Sequence, residues 1–136
     1  MVLYDQHHRV LLLQRQDDPD FWQSVTGALE EGENPIDTAY REVAEETGIN
    51  AKALSFQLHD HKKQNYYKIR SKWLHRYPPG TQFNREHVFS LQIDSNIPLI
   101  LTEHLQYEWV DKPEALTRLW SPSNKEAVSM FVPSIA

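Results

Sequence analysis

The chain changes its hydrophobic rhythm several times, and each change marks an element. Met1 to Tyr4 is short and apolar, Asp5-Gln6-His7-His8 is polar, and RVLLLQR (9–15) is apolar again. Runs of that length read as strands, so the first fifteen residues predict a hairpin. Asp17-Asp18-Pro19-Asp20 is a polar turn, and FWQSV follows with Trp22 as a packed aromatic. From Pro35 onward the period becomes helical: Ile36, Ala39, Tyr40, Val43 and Thr47 form one stripe. Asn34 is suited to cap the orphan N–H groups. Pro35 suits the first helical position, and Gly48 suits the left-handed residue past the end. A helix over 35–47 is predicted.

Further along, Ala51–Leu58 is expected to be a strand. In Lys62–Leu74, Tyr67 and Ile69 alternate with Lys68 and Arg70, as in a half-buried strand. His87–Ile93 and Tyr107–Val110 read as strands, and Pro113–Leu119 as a short helical turn. A last helix is expected over Ser123–Phe131, with Ser123 as its cap, Glu126 at the capping-box position and Ala127, Met130 and Phe131 as its apolar face. Strands on both sides of one helix, with another helix at the end, imply the α/β (α+β) class: an α/β/α sandwich around a mixed β-sheet. A length of 136 residues suits a single domain over 1–136.

Composition narrows the function. A net charge of −5 argues against a nucleic-acid partner. No apolar run is long enough to span a membrane. With no cysteine, disulfides and thiolate metal sites are excluded. The start, MVLYDQHHRVLLL, lacks a basic leader region and a small-residue cleavage site, so a cytoplasmic location is expected. His59-Asp60-His61 alternates along a strand and is not expected to share a face with the glutamates.

The candidate chemistry lies in GALEEGENPIDTAYREVAEETGI, residues 27–49. At about 100° per residue, Glu42 and Glu46 sit roughly 40° apart, with Glu45 on the other side of Glu42. Like charges at i,i+4 repel, and Glu45 and Glu46 lie at the negative end of the helix dipole. A bound divalent cation would relieve both, and hard oxygen ligands suit Mg2+, with Mn2+ as a substitute.

Gly27, five residues, Glu33, seven residues and then Arg41-Glu42-Val43-Ala44-Glu45-Glu46-Thr47-Gly48-Ile49 together resemble the complete Nudix box. The resemblance implies the Nudix fold and metal-dependent hydrolysis of a small-molecule phosphoanhydride. It implies Glu42, Glu45 and Glu46 as metal-binding carboxylates, with Glu45 or Glu42 activating water and Arg41 orienting the carboxylates, including Glu33. Thr26-Gly27-Ala28 stands where most members have a Pro-Gly-Gly-type stretch, which points to a subgroup. QRQDDPDFWQSVTGALEEGE, HRYPPG and LTEHLQYEWVD are similar to a subgroup that cleaves a pterin triphosphate to the monophosphate and pyrophosphate in folate biosynthesis. That similarity implies Glu103 as a further metal ligand. It also implies Arg15, Thr26 and the segment Tyr67, Lys68, Ile69 and Arg70 as substrate contacts. A monomer or weak homodimer is expected. The alternatives are a (d)NTP or dinucleoside polyphosphate hydrolase of the same family, and a non-catalytic nucleotide-binding module of the same fold.

Overall fold

The computed structural model describes residues 1–25, 33–68, 83–102 and 104–134, with the side chains of 65–68 and 83–86 outside that description. In order come β1 (Val2–Tyr4), β2 (Val10–Arg15), β3 (Trp22–Gln23), α1 (Pro35–Thr47), β4 (His59–Lys68), β5 (Phe83–Gln92), β6 (His104–Val110), α2 (Lys112–Arg118) and α3 (Pro122–Phe131). β2 is the hub. β6 runs antiparallel along it from Val10↔Val110 to Arg15↔His104. β1 and β3 also pair with it antiparallel. β1 pairs parallel with β5, and β5 antiparallel with β4, so the sheet is mixed.

Alternation along β2 explains the layers. Leu11 and Leu13 pack with Ala39 and Val43 of α1 on one face. Val10 and Leu12 pack with Ala115 of α2 and Ala127 and Val128 of α3 on the other. Successive side chains of a strand point to opposite faces. A run of four buried residues is therefore what a strand covered on both sides needs. The result is the α/β/α sandwich expected from the sequence. An aromatic neighbour fits the same plan: Trp22 packs against the α2/α3 side with the Arg118 guanidinium 4.4 Å from its ring centre.

The hairpin turn is closed from inside by Asp5, which is fully buried. Its carboxylate accepts from the His7 and Arg9 backbone N–H groups at 2.9 and 2.8 Å and from Arg9 Nε at 2.9 Å. α1 has the predicted bounds. Asn34 Oδ1 accepts from Asp37 N at 3.1 Å, and Gly48 takes φ 77° while its N–H donates to Ala44 O. A Cβ on Gly48 would stand 3.0 Å from Ile100 Cβ, so the close approach also requires glycine.

Four expectations fail. Ala51–Leu58 is not a strand: residues 51–55 form turns. There Asn50 Oδ1 accepts from Ala53 N, an alternative to sheet pairing. The Leu58 N–H donates to the Tyr40 hydroxyl. Ile36 is exposed rather than buried. It lines a 330 Å³ cleft with Asn34, Pro35, Asp60, Lys62, Gln64 and His87. Ser123 lies inside α3, whose cap is Ser121, with the two hydroxyls 2.9 Å apart. Met130 is exposed, while Asn124 is buried.

Candidate active site

α1 carries the acids, and its N-terminal approach orders the first of them. Glu33 accepts from Thr38 Oγ1 at 2.7 Å. It also takes two parallel bonds from Arg41, at 2.8 Å from Nε and 2.9 Å from Nη2. The remaining Arg41 nitrogen, Nη1, donates to Glu42 Oε1 at 2.7 Å and lies 3.2 Å from both Glu45 oxygens. One planar guanidinium thus ties three carboxylates together, which a point-charged lysine would not do.

The acids differ in depth. Glu45 is half exposed, Glu42 mostly covered and Glu46 buried. Burial raises the Glu42 carboxyl above its ordinary range. The Arg41 charge opposes that rise and the Glu45 charge adds to it. Glu46 stands near enough to act on the Glu42 charge as well, in the lowering direction. Two carboxylates so close need either a shared proton or a cation between them.

The far end of α1 is strapped by the chain before β6. Ile100 N–H donates to Thr47 O at 2.9 Å and Thr102 Oγ1 donates to Glu45 O at 2.9 Å. His104 then opens β6 with its Nε2 3.7 Å from Glu46 Oε1. The register of β6 against β2 shifts between Gln14 and Arg15, so that His104 pairs with Arg15. His104 is buried while the next residue, Leu105, is exposed. Bulges of this kind re-aim a side chain beside a site.

A polar chain crosses the sheet from there. Gln23 Nε2 lies 3.1 Å from His104 Nε2, and Arg15 Nη1 donates to Gln23 Oε1 at 3.0 Å. Arg15 also makes a fork with Asp17, at 2.7 and 2.8 Å. Burial, with the Arg15 charge, holds the His104 imidazole below its ordinary range, while Asp17 pulls the other way.

Of the expected site residues, Arg41, Glu42, Glu45 and Glu46 converge on one patch, and Arg15 connects to it through Gln23 and His104. Thr26, Ile69, Arg70 and Glu103 lie outside the described residues. Tyr67 and Lys68 lie in β4, with their side chains outside the description. His61 is elsewhere: its Nε2 is 2.7 Å from Ser90 Oγ and its ring stacks on Phe131 of α3. Sequence reasoning missed Gln23, His104, Thr38 and Thr102. The one available signal was a glutamine inside the apolar FWQSV run.

Among the described residues no group of three or more His, Asp or Glu side chains is arranged to hold an ion. The Glu42–Glu46 pair nonetheless fits two oxygen ligands of a hard divalent cation. Mg2+ is commonly held by one or two carboxylates, with substrate phosphates completing its shell. A buried like-charged pair is the feature that such an ion would neutralise.

The capped helix, the strapped acids and the mixed sheet define a class, and comparison with known proteins agrees. The NUDIX domain model matches residues 1–131, and the chain belongs to the Nudix family. Members of that family generally use a divalent metal and act on small-molecule phosphoanhydrides. Within it, the chain is 46% identical to the dihydroneopterin triphosphate diphosphatase of Escherichia coli K12 over 135 residues, 97% of this chain and 89% of the relative. The Haemophilus influenzae enzyme of the same name is 37% identical, covering 97% and 84%. The solved E. coli dihydroneopterin triphosphate pyrophosphohydrolase superposes with a TM-score of 0.92 at 45% identity, covering 96% and 90%. No helix among the described residues is long and apolar enough to cross a membrane.

Proposed function

We propose that this chain hydrolyses 7,8-dihydroneopterin triphosphate to the monophosphate and pyrophosphate, a step of folate biosynthesis, with Mg2+ as its ion and Mn2+ as a substitute. The observation that carries the substrate is the 46% identity to the E. coli diphosphatase across 97% of the chain. The chemistry rests on the converging carboxylates of α1.

Glu42 and Glu46 would hold the ion. Glu103 is read as a further ligand, and the contacts that Thr102 and His104 make with α1 on either side of it support that reading. When bound, the ion supplies charge neutralisation between carboxylates and triphosphate and lowers the pKa of water. Arg41 keeps Glu33, Glu42 and Glu45 in a fixed arrangement. Glu45, the most exposed of the three box acids, takes the proton from the attacking water. Arg15 offers a planar fork to the phosphates in exchange for Asp17. Thr26 and the segment Tyr67, Lys68, Ile69 and Arg70 complete the substrate contacts. In-line displacement at phosphorus is chiefly positioning and charge stabilisation, which is what these residues provide. The protein works in the cytoplasm as a monomer or weak homodimer, without a nucleic-acid partner.

The test is pyrophosphate release with Mg2+, comparing dihydroneopterin triphosphate with dATP and 8-oxo-dGTP at equal concentration. Preference for the pterin triphosphate is expected. Preference for either nucleotide would overturn the substrate and leave the phosphoanhydride chemistry standing.

A further inference from the structure

His104 is a buried polar side chain with no part in the reaction outlined above. Arginine has only donors, so its bond to Gln23 fixes the Gln23 oxygen toward Arg15. The Gln23 NH2 group therefore donates to His104 Nε2. A neutral ring accepting at Nε2 carries its proton on Nδ1, and Nδ1 is buried without a hydrogen-bond partner among the described residues. A group left in that state destabilises a fold, so His104 is a poor choice for stability alone. What it does achieve is a packing contact: its Nε2 stands 3.7 Å from Glu46 Oε1, beyond hydrogen-bond reach, so the ring acts on Glu46 as a buttress while Gln23 joins it to Arg15 by hydrogen bonds. The bulge on β6 aims it there.

We propose that Gln23 and His104 are positioning residues that form a buried strut across the sheet, fixing the distance between the phosphate-gripping Arg15 and the ion-holding Glu46. The inference rests on the proposed hydrolase reading. Each end of the strut sets one property. Arg15 held at the right place and angle favours binding of the triphosphate. Glu46 held against the ring favours binding of the ion. Outer partners of ion-holding side chains typically change metal affinity or activity by about 10- to 100-fold when they are lost.

The experiment uses the whole chain and measures Mn2+ affinity by electron paramagnetic resonance, alongside kcat, KM and melting temperature. Glu46→Gln serves as the control for the ion site. His104→Leu is expected to weaken Mn2+ binding about tenfold and to raise KM, with a melting temperature close to that of the wild type. His104→Gln, which still offers an acceptor to Gln23, is expected to recover most of both losses. Gln23→Leu is expected to weaken Mn2+ binding too, and the double Leu variant to lose little beyond the worse single one, since the two residues act as a unit. Wild-type Mn2+ affinity and KM in His104→Leu would overturn the strut while leaving the hydrolase intact. So would a large fall in melting temperature that His104→Gln fails to restore, which would mark a purely structural role. A wild-type protein that binds no Mn2+ and releases no pyrophosphate would overturn the hydrolase reading itself, and the strut with it.

Discussion

Asp5 in the β1–β2 turn and Glu42 on α1 are both carboxylates taken out of water, and their surroundings push them in opposite directions. Burial works against the charge of Asp5, yet its bonds to the Arg9 and His7 backbone, Ser95 and the Arg9 side chain outweigh it, and its pKa is lowered. Burial also works against the charge of Glu42, but there Arg41 is countered by Glu45, and the pKa is raised. Asp5 is satisfied by its own turn and by Ser95, and the site around it is complete. Glu42 shares its donor with Glu33 and Glu45 and faces a second buried acid. The fold stabilises the first charge by itself and leaves the second in want of a cation. A carboxylate that its own chain neutralises serves structure; one that its own chain crowds with like charges is suited to hold an ion.

The largest effect expected from this contrast is on turnover. Glu42→Gln keeps the size and removes the charge. It should lower kcat by about a hundredfold or more, with the metal-free melting temperature held or raised. Near-wild-type pyrophosphate release would take Glu42 out of the site. The next effect is on stability. Asp5→Ala should cost roughly 2–3 kcal/mol by denaturant titration, because it strands two partly buried backbone donors and removes charge-assisted bonds. Its kcat per folded molecule should match the wild type. A stable Asp5→Ala protein would mean that the turn closes without its carboxylate.

The same contrast separates what was legible in the sequence from what was not. α1 was legible to its ends because each boundary is local: Asn34 caps it, Pro35 starts it and Gly48 stops it. The hairpin was legible because an apolar run followed a polar turn. In Ser121-Pro122-Ser123-Asn124 three residues compete as caps, and the expected one, Ser123, lies two residues past the actual cap, Ser121. The parallel pairing of Val2–Tyr4 with Ser90–Gln92 left no local trace. Neither did the strut, which depends on β3 and β6 both lying beside β2 and on a register shift. Tyr40 reads as one more stripe residue, yet its hydroxyl takes the Leu58 N–H, a donor that the expected strand would have given to a neighbouring strand.

The smallest effect is the pH dependence of metal-free stability, and it tests the two carboxylates at once. Asp5 has its folded pKa lowered, so its contribution is present above the unfolded value, near 3.8, and is lost as pH falls through the folded value. Glu42 has its folded pKa raised, so its contribution is present below the unfolded value, near 4.5, and is lost as pH rises through the folded one. With the ion chelated, melting temperature should therefore fall at both ends, for two different reasons. Asp5→Asn should flatten the acid limb and leave the upper one. Glu42→Gln should flatten the upper limb and leave the acid one. Adding Mg2+ to the wild type should reverse the upper limb, because ionised carboxylates bind the cation better than protonated ones. An upper limb that survives Glu42→Gln unchanged would show that the burden of buried charge lies on a neighbour, and would move the contrast with Asp5 from Glu42 to the remaining acids of α1.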